Sequence, residues 1–372
     1  MVEYAKGLQG VIAGESKIGF IDGEKGILAY LGYPIQTLAE HSTYEETAYL
    51  LLYGKLPSKK QLNEFDQKLK EARSLPKAVL DMMNLMPQTT HPMENLQTMV
   101  SALGSFSKNV SLLDRSIQLI AQFPVIIANR RRSRFKEKHI SPDATLSHAA
   151  NFLYMLTGKK PSPQTARMFD VCLILHAEHS FNASTFTGRV VASTLAPLHA
   201  CISAAVGSLY GPLHGGANEK VLHAVQEIGD PKNARKWVMD KFSNKEKIMG
   251  MGHRVYKVKD PRAYILEDML KKLSAEKKDT KIYDTLKEVE NVVRNEMQKQ
   301  GKSIWPNVDF FSGALYTLMN IPDELFTPVF AISRVSGWCA HIIEQLEDNR
   351  IYRPKCQYIG ERQSTYVPIS KR

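Results

Sequence analysis

The sequence predicts a mainly α-helical protein with a small β element at its N-terminus. Apolar residues recur at helical spacing over most of the chain after residue 40. Short β-type runs flanking Asp22-Gly23 occur near the start of the chain. Strands do not alternate with crossover helices, which argues against a doubly wound parallel sheet.

The individual elements follow from local patterns. Two β-type runs at 17–23 and 26–30 flank Asp22-Gly23, a pair that favours a hairpin turn. The segments 62–69 and 282–293 each place their apolar residues on one helix face. Asp260-Pro261 predicts the start of a further helix, with aspartate as its N-cap and proline in its first turn.

A chain of 372 residues is long enough for one large domain or two. The region 219–321 is more charged than its surroundings and contains solvated helices between turn-rich segments. We therefore predict a small domain at 219–321 and a large domain formed by residues 1–218 together with 322–372.

Two runs of small and apolar residues, at 190–195 and 204–207, bear on assembly. Helices of this composition are apolar nearly all round and must be buried on every side. We expect them in a central core and at the interface of a twofold homodimer, with higher oligomers left open.

The charge balance indicates anionic partners, since the net charge is +11 and the pI is near 9.3. The densest basic run is 130–136 (RRRSRFK), which in isolation resembles a nucleic-acid patch. It has no aromatic interleaving and no recognisable binding module around it. We interpret it as the exposed end of a helix beginning near Leu113, and keep a nucleic-acid-binding protein as the alternative from another functional class.

The sequence also bears on the cellular compartment. No apolar stretch approaches the ~20 residues of a membrane span, and the N-terminus has no secretory signal pattern. The four cysteines form no CxxC pair, which favours reduced thiols in a cytosolic setting. We therefore expect a cytoplasmic protein that binds no membrane.

Three segments each place a titratable side chain beside glycine or proline: 211–218 (GPLHGGAN), 249–254 (MGMGHR) and 305–310 (WPNVDF). Taken singly, His214 is explained as a helix cap and His253 as part of a basic loop. Asp309 is either a helix cap or a desolvated base with a raised pKa. Together they supply a base and two donors, the parts needed to remove a proton beside a carbonyl. The combination predicts a carbon–carbon bond-forming condensation.

Other residues refine that prediction. The GxG at 250–252 completes neither a dinucleotide fingerprint nor a phosphate loop, but the nearby cations suit a substrate with several carboxylates or phosphates. His176 and His179 lack further ligands at metal-binding spacing, so we interpret them as a buried polar pair lining a cleft. Arg334 lies in an apolar helix and needs an anionic partner, whereas Arg353 in the tail has a weaker case.

The three segments around His214, His253 and Asp309 resemble the catalytic segments of citrate synthases. The resemblance is to the short bacterial and archaeal type, which is close to 2-methylcitrate synthases. The supporting matches are 175–186 (LHAEHSFNASTF), 333–341 (SRVSGWCAH) and 353–360 (RPKCQYIG). The resemblance covers essentially the whole chain. It implies a two-domain helical fold, a homodimer, and condensation of acetyl-CoA with oxaloacetate followed by thioester hydrolysis.

The resemblance also implies a role for each matching residue. Asp309 takes the methyl proton of acetyl-CoA, His214 hydrogen-bonds the thioester oxygen, and His253 polarises the ketone of oxaloacetate. The substrate carboxylates are bound by His179, Arg262 and Arg334, and by Arg353 of the partner subunit. Coenzyme A is contacted by Met251, Gly252 and Lys257. The resemblance implies no metal and no redox cofactor. Acetyl-CoA counts as a substrate and not as a cofactor.

Two departures from the family pattern are visible. Met251 stands where phenylalanine is common, and Glu178-His179-Ser180 replaces a frequent Asp-His-Glu. Both leave the proposed acid–base groups intact. The nearest alternative is a 2-methylcitrate synthase using propionyl-CoA, since one extra methylene in an apolar pocket is worth only ~1–3 kcal/mol.

Overall fold

The computed structural model describes residues 4–107 and 109–372. Helices dominate this part of the chain, as predicted, and the strands are confined to the first forty residues. The strands are β1 (Gly19–Asp22), β2 (Ile27–Tyr30) and β3 (Tyr33–Pro34). The helices are α1 (Ile35–His41), α2 (Tyr44–Tyr53), α3 (Lys59–Glu71), α4 (Lys77–Leu85), α5 (Pro92–Leu103), α6 (Leu112–Arg134), α7 (His148–Thr157), α8 (Pro163–His176), α9 (Ala183–Ala192), α10 (Leu198–Tyr210), α11 (Ala217–Ile228), α12 (Ala234–Ser243), α13 (Pro261–Lys277), α14 (Lys281–Lys299), α15 (Val308–Leu318) and α16 (Phe326–Glu347).

The predicted hairpin is confirmed. Strands β1 and β2 pair antiparallel, and β3 adds to β2 to complete a three-stranded sheet. Asp22 Oδ1 accepts hydrogen bonds from the backbone N–H groups of Glu24 and Lys25, which closes the turn. The same turn accepts a hydrogen bond from the backbone of Lys257 at the Gly23 carbonyl, 2.9 Å away. The hairpin therefore supports the segment that follows His253.

The predicted helices are also confirmed. Helix α3 buries Phe65 and Leu69, and α14 buries the apolar face that its periodicity indicates. Helix α13 begins at Pro261, and the Asp260 side chain caps it by accepting from the Arg262 backbone N–H.

Helix α16 is the central element of the fold. Nearly all of its residues are buried, and it packs against α2, α6, α8, α9 and α10. A second group of helices packs mainly on itself, with α15 against α11 and α13, and α12 against α14. This second group lies largely within the predicted small domain, and the division into two domains stays a prediction.

The basic run 130–136 departs from expectation. Arg130, at the end of α6, is only 1% exposed and donates to backbone carbonyls at the end of α4 and beyond. Arg131 and Arg132 pair with Glu137, and Arg134 pairs with Glu324. Helix α6 begins at Leu112, as expected, and Phe135 and Lys136 beyond its end are exposed. The expected exposure is wrong for Arg130, because the carbonyls at the α4 terminus accept its hydrogen bonds, and residues 131–134 are half-buried. This removes the main support for nucleic-acid binding.

The run 190–195 is not one continuous buried helix. Helix α9 ends at Ala192, and Leu195 follows in a turn with a positive φ of 66° and a side chain that is 72% exposed. Burial on every side is therefore wrong for this run within one chain. Helix α10, which carries 204–207, packs against α9 and α5. The proposed dimer interface stays a prediction.

Cys172, Cys201 and Cys339 are buried, Cys356 is exposed, and all four thiols are free. In the part of the chain that the structure describes, no helix is long and apolar enough to cross a membrane.

Candidate active site

The three residues predicted to carry the chemistry lie around one cavity. His214, His253 and Asp309 all line a cavity of about 840 Å³. They come from three different places: the loop before α11, the loop before α13 and the first turn of α15. Side chains far apart in sequence thus meet in one cleft.

Two loops are joined backbone to backbone, which fixes His253 relative to Asp309. The Gly252 N–H donates to the Trp305 carbonyl at 2.7 Å, and the Asn307 N–H donates to the Gly250 carbonyl at 2.9 Å. The Asn307 side chain adds a third bond, from Nδ2 to the Gly252 carbonyl at 2.8 Å. Because these three hydrogen bonds join the two loops, they hold His253 and Asp309 at a fixed spacing.

Two glycines in these loops are required by their surroundings. Gly250 has a φ of 78°, and a Cβ there would lie 2.8 Å from Val221 and 2.9 Å from the Phe310 ring. A Cβ at Gly215, next to His214, would collide with the carbonyl oxygen of Leu209. The glycines therefore allow the backbone to pack closely behind each histidine.

Asp309 is free to act as a base because another residue caps its helix. Asn307 is the N-cap of α15 and accepts from the Asp309 backbone N–H at 2.9 Å. Burial raises the pKa of the Asp309 carboxyl to about 6, while the nearby Arg262 and Arg334 partly oppose that shift. At pH 7 the group is ionised yet more basic than an ordinary aspartate, as a general base requires.

His253 is held as a neutral hydrogen-bond donor. Its Nδ1 accepts from the backbone N–H groups of Val255 at 2.9 Å and Tyr256 at 3.2 Å. The ring proton must then sit on Nε2, which is left to donate. Burial lowers the pKa of His253 to about 4, and the positive charge of Arg262 acts in the same direction.

His214 has the opposite tautomer. The Ser184 backbone N–H donates to His214 Nε2 at 3.2 Å, so Nε2 is an acceptor and Nδ1 carries the proton. Burial lowers the pKa of His214 to about 4, assisted by Arg334. Both histidines are thus neutral at pH 7, each with one donor nitrogen.

Arg262 and Arg334 place positive charge beside these groups. Arg262 is 2% exposed and pairs through Nε and Nη2 with the Asp260 carboxylate, at 3.0 and 2.7 Å. Arg334 is 1% exposed and donates from Nε to the carbonyl of His176 at 2.6 Å, a neutral acceptor. Burial lowers the pKa of Arg334 to about 10, which Glu178 opposes. Both arginines suit binding of substrate carboxylates.

His176 and His179 do not act as a pair. His176 ends α8, donates from Nδ1 to the Cys172 carbonyl at 2.7 Å and packs among aromatic rings. His179 lies in the following loop, 3.2 Å from the Tyr256 hydroxyl, with its ring 5.4 Å from that of His253. Burial lowers the pKa of His179, and Arg262 adds to the effect. His179 therefore belongs to the site and His176 to its support.

Over residues 4–107 and 109–372, no group of three or more His, Cys, Asp or Glu side chains is arranged to hold a metal ion.

The residues expected to contact coenzyme A are divided. Met251 and Gly252 line the cavity, whereas Lys257 is exposed and lies outside its lining. Four other cations line the cavity: Lys245, Lys247, Arg254 and Lys302. Arg254 is one of the cations beside the glycines at 250–252 for which the sequence predicted an anionic substrate. Lys245, Lys247 and Lys302 were given no role, because they show no pattern along the chain.

Arg353 lies apart from the cleft. It follows α16 in an exposed segment, where its Nη1 donates to the carbonyl of the adjacent Pro354 at 2.8 Å. It lines a second cavity, of about 990 Å³, formed by the N-terminal segment, α9, the end of α16 and the residues that follow α16.

Three supporting residues were not predicted from the sequence: Ser184, Tyr256 and Asn307. Ser184 and Tyr256 contact the ring nitrogens of His214 and His179, and Asn307 donates to the Gly252 carbonyl. These partners are distant in sequence, so periodicity does not reveal the contacts. The signal for Asn307 was present, since asparagine shortly before a helical apolar run is a typical N-cap.

Comparisons with known proteins agree on one family. The family model described as "Citrate synthase, C-terminal domain" matches residues 7–355. A citrate synthase of Synechocystis is 47% identical over 99% of this chain and 94% of its own length. A 2-methylcitrate synthase of Shewanella oneidensis is 42% identical over 98% of this chain and 97% of its own length. The structure of a Thermoplasma acidophilum citrate synthase in ternary complex with carboxymethyl coenzyme A and oxaloacetate superposes with a TM-score of 0.94 at 34% identity, covering all of both chains.

Proposed function

The chain belongs to the citrate synthase family, and from this premise we propose that it condenses acetyl-CoA with oxaloacetate and hydrolyses the resulting citryl-CoA. One observation carries the proposal at the level of the site. A carboxylate with a pKa raised to about 6 shares a cavity with two neutral histidines whose donor nitrogens are fixed by backbone contacts. That is the equipment for forming and using an enol.

In the first step Asp309 accepts a proton from the methyl carbon of acetyl-CoA. The electron pair of the broken C–H bond forms the enol double bond, and the thioester oxygen gains negative charge. His214 stabilises that oxygen by donating from Nδ1. Its depressed pKa suits this role, because a neutral imidazole donates without first binding a proton from solvent.

In the second step the enol carbon attacks the ketone carbon of oxaloacetate. The new C–C bond forms while the ketone oxygen takes up a proton, with His253 Nε2 as the donor that polarises it. Water then attacks the citryl thioester, the C–S bond breaks, and CoA leaves as a thiol alongside citrate. No metal or redox cofactor takes part in the proposed reaction.

Oxaloacetate carries two carboxylates, and we assign them to His179, Arg262 and Arg334 of one protomer and Arg353 of the partner subunit. The His179 ring lies 5.4 Å from that of His253, and the charges of Arg262 and Arg334 both act on Asp309. Arg353 is exposed, does not line the cleft of its own chain and donates to the carbonyl of the adjacent Pro354. A twofold homodimer in which Arg353 crosses to the partner accounts for that position.

For coenzyme A we propose contacts with Met251 and Gly252 at the acyl end, as the resemblance implies. The phosphates need cations at the rim, where Lys245, Lys247, Arg254 and Lys302 lie. Lys257, which the resemblance implies as a coenzyme A contact, is a further candidate for binding the phosphates. It lies outside the cavity lining.

Closure of the small domain, 219–321, over the large domain would exclude water and strengthen each of these contacts. We place the enzyme in the cytoplasm, supported by four free cysteine thiols.

The test is thiol release by the purified protein with oxaloacetate, comparing acetyl-CoA and propionyl-CoA at matched concentrations. Preference for acetyl-CoA supports the proposal. Preference for propionyl-CoA would make the protein a 2-methylcitrate synthase, a name borne by relatives of similar identity. Folded protein that releases no thiol with either substrate would refute the proposed function.

A further inference from the structure

Helix α16 meets the segment 176–184 at three points along one face. Arg334 donates to the His176 carbonyl, and His341 Nε2 contacts Glu178 Oε1 at 2.9 Å. Between them, Trp338 Nε1 donates to Ser184 Oγ at 3.1 Å. The spacing of four and three residues places all three side chains on the same side of the helix. Arg334 and His341 are ionisable side chains, whereas Trp338 brings only a neutral N–H group.

Trp338 is 1% exposed, and an indole N–H buried to that degree needs an acceptor. The acceptor it has, Ser184 Oγ, lies 2.8 Å from His214 Nε2. The Ser184 backbone N–H reaches the same nitrogen at 3.2 Å. A chain of donors therefore runs from the central helix to the inner nitrogen of a catalytic histidine.

The direction of this chain follows from its fixed donors. Because the Ser184 amide only donates, His214 Nε2 must accept. The indole donates into Ser184 Oγ, and the one hydroxyl proton of Ser184 has two acceptors, Asn182 Oδ1 and His214 Nε2, each 2.8 Å away. Donation by the indole into Ser184 Oγ polarises the hydroxyl and makes it a stronger donor to either acceptor. The lone pair of His214 Nε2 is thereby kept occupied, and the ring resists a second proton.

We propose that Trp338 is a positioning residue for the condensation, acting through the Ser184 hydroxyl to keep His214 in the neutral tautomer that donates from Nδ1 into the cavity. This inference rests on the proposed function and adds a residue to it. Trp338 touches no substrate and is buried behind the site, so its effect falls on the turnover step and leaves substrate binding nearly unchanged.

The test uses two replacements of Trp338 that remove the N–H group. Trp338→Phe is the simple one, and site-specific replacement by benzothienylalanine keeps the bicyclic shape with sulfur in place of N–H. We expect each to lower kcat by roughly tenfold, as loss of one hydrogen bond of about 1.4 kcal/mol predicts. KM for oxaloacetate should stay within about twofold of the wild-type value. The acid limb of the pH–rate profile should steepen, because the pKa of His214 rises from about 4 toward the pKa of Asp309, which is about 6.

A double-mutant cycle separates relay from packing. If Trp338 acts through the hydroxyl, kcat of Trp338→Phe/Ser184→Ala equals that of Ser184→Ala alone. Multiplicative losses, or benzothienylalanine at position 338 with wild-type kcat, would overturn the inference while wild-type thiol release still supports the proposed function. Wild-type protein without thiol release would overturn both. The benzothienylalanine protein keeps the test decisive if the phenylalanine variant fails to fold.

Discussion

Asp309→Asn should abolish most of the activity and at the same time stabilise the fold. Burial raises the pKa of Asp309 from its ordinary 3.8 to about 6, so the folded protein binds that proton more tightly than the unfolded chain does. Ionisation of Asp309 therefore destabilises the folded state. This penalty is absent below the unfolded pKa of 3.8, grows as the pH rises toward the folded pKa of about 6, and is complete above it. At ~1.36 kcal/mol per pH unit, the penalty at pH 7 is about 3 kcal/mol as an upper limit.

Asparagine keeps the shape and carries no charge, so it should recover most of that free energy. In urea unfolding at one fixed protein concentration, we expect Asp309→Asn to gain up to about 3 kcal/mol at pH 7 and only about 0.6 kcal/mol at pH 4. Its kcat should fall by roughly 10²- to 10⁴-fold, the usual contribution of a general base.

A matched control is Asp268→Asn. Asp268 is exposed on α13 and pairs with Lys272 one turn away, so its replacement should change stability by less than ~0.5 kcal/mol at either pH. If Asp309→Asn were no more stable than wild type at pH 7, or gained equally at pH 4, the desolvated-base account of Asp309 would be refuted.

Three further predictions follow from the same geometry. In wild-type protein, kcat should decline as pH falls below about 6, because Asp309 becomes protonated; a rate that is flat between pH 7 and 5 would contradict this. Asn307→Ala removes the α15 cap and the bond to the Gly252 carbonyl, and should lower the unfolding free energy by ~1–2 kcal/mol and reduce kcat; unchanged urea curves would show that the two loops are held otherwise. Gly215→Ala should impair folding or displace His214, whereas Gly216→Ala, where a Cβ meets nothing within 4 Å, should be close to wild type by thermal melting and thiol release; equal effects of the two substitutions would contradict the packing argument.

Much of the fold was predictable because its signals are local. The Asp22-Gly23 hairpin, the Asp260 cap and the apolar faces of α3 and α14 each depend on residues within a few positions of one another. The burial of Arg130 at the end of α6 was not predictable. Arg130 donates to carbonyl groups at the end of α4, more than forty residues away in the sequence. A run of cations gives no sign of whether distant acceptors will face it.

The site shows the same division. His214, His253 and Asp309 stand out because glycine, proline and a titratable group coincide in each segment. The choice between cap and base for Asp309 needed the structure, since Asn307 takes the cap role. The tautomers of the two histidines also needed it, because they are set by the amides of Ser184, Val255 and Tyr256, and only part of that set is local. The rim lysines leave no pattern in the sequence.

The most direct test of the central claim is exchange of the methyl hydrogens of acetyl-CoA in deuterated water. A dicarboxylate that resembles oxaloacetate but lacks its ketone should occupy the cleft without being attacked, so that enol formation is observed by itself by mass spectrometry. We predict deuterium uptake into the methyl group with wild-type protein and almost none with folded Asp309→Asn. Equal uptake by the two proteins would show that another group removes the proton and would contradict the account.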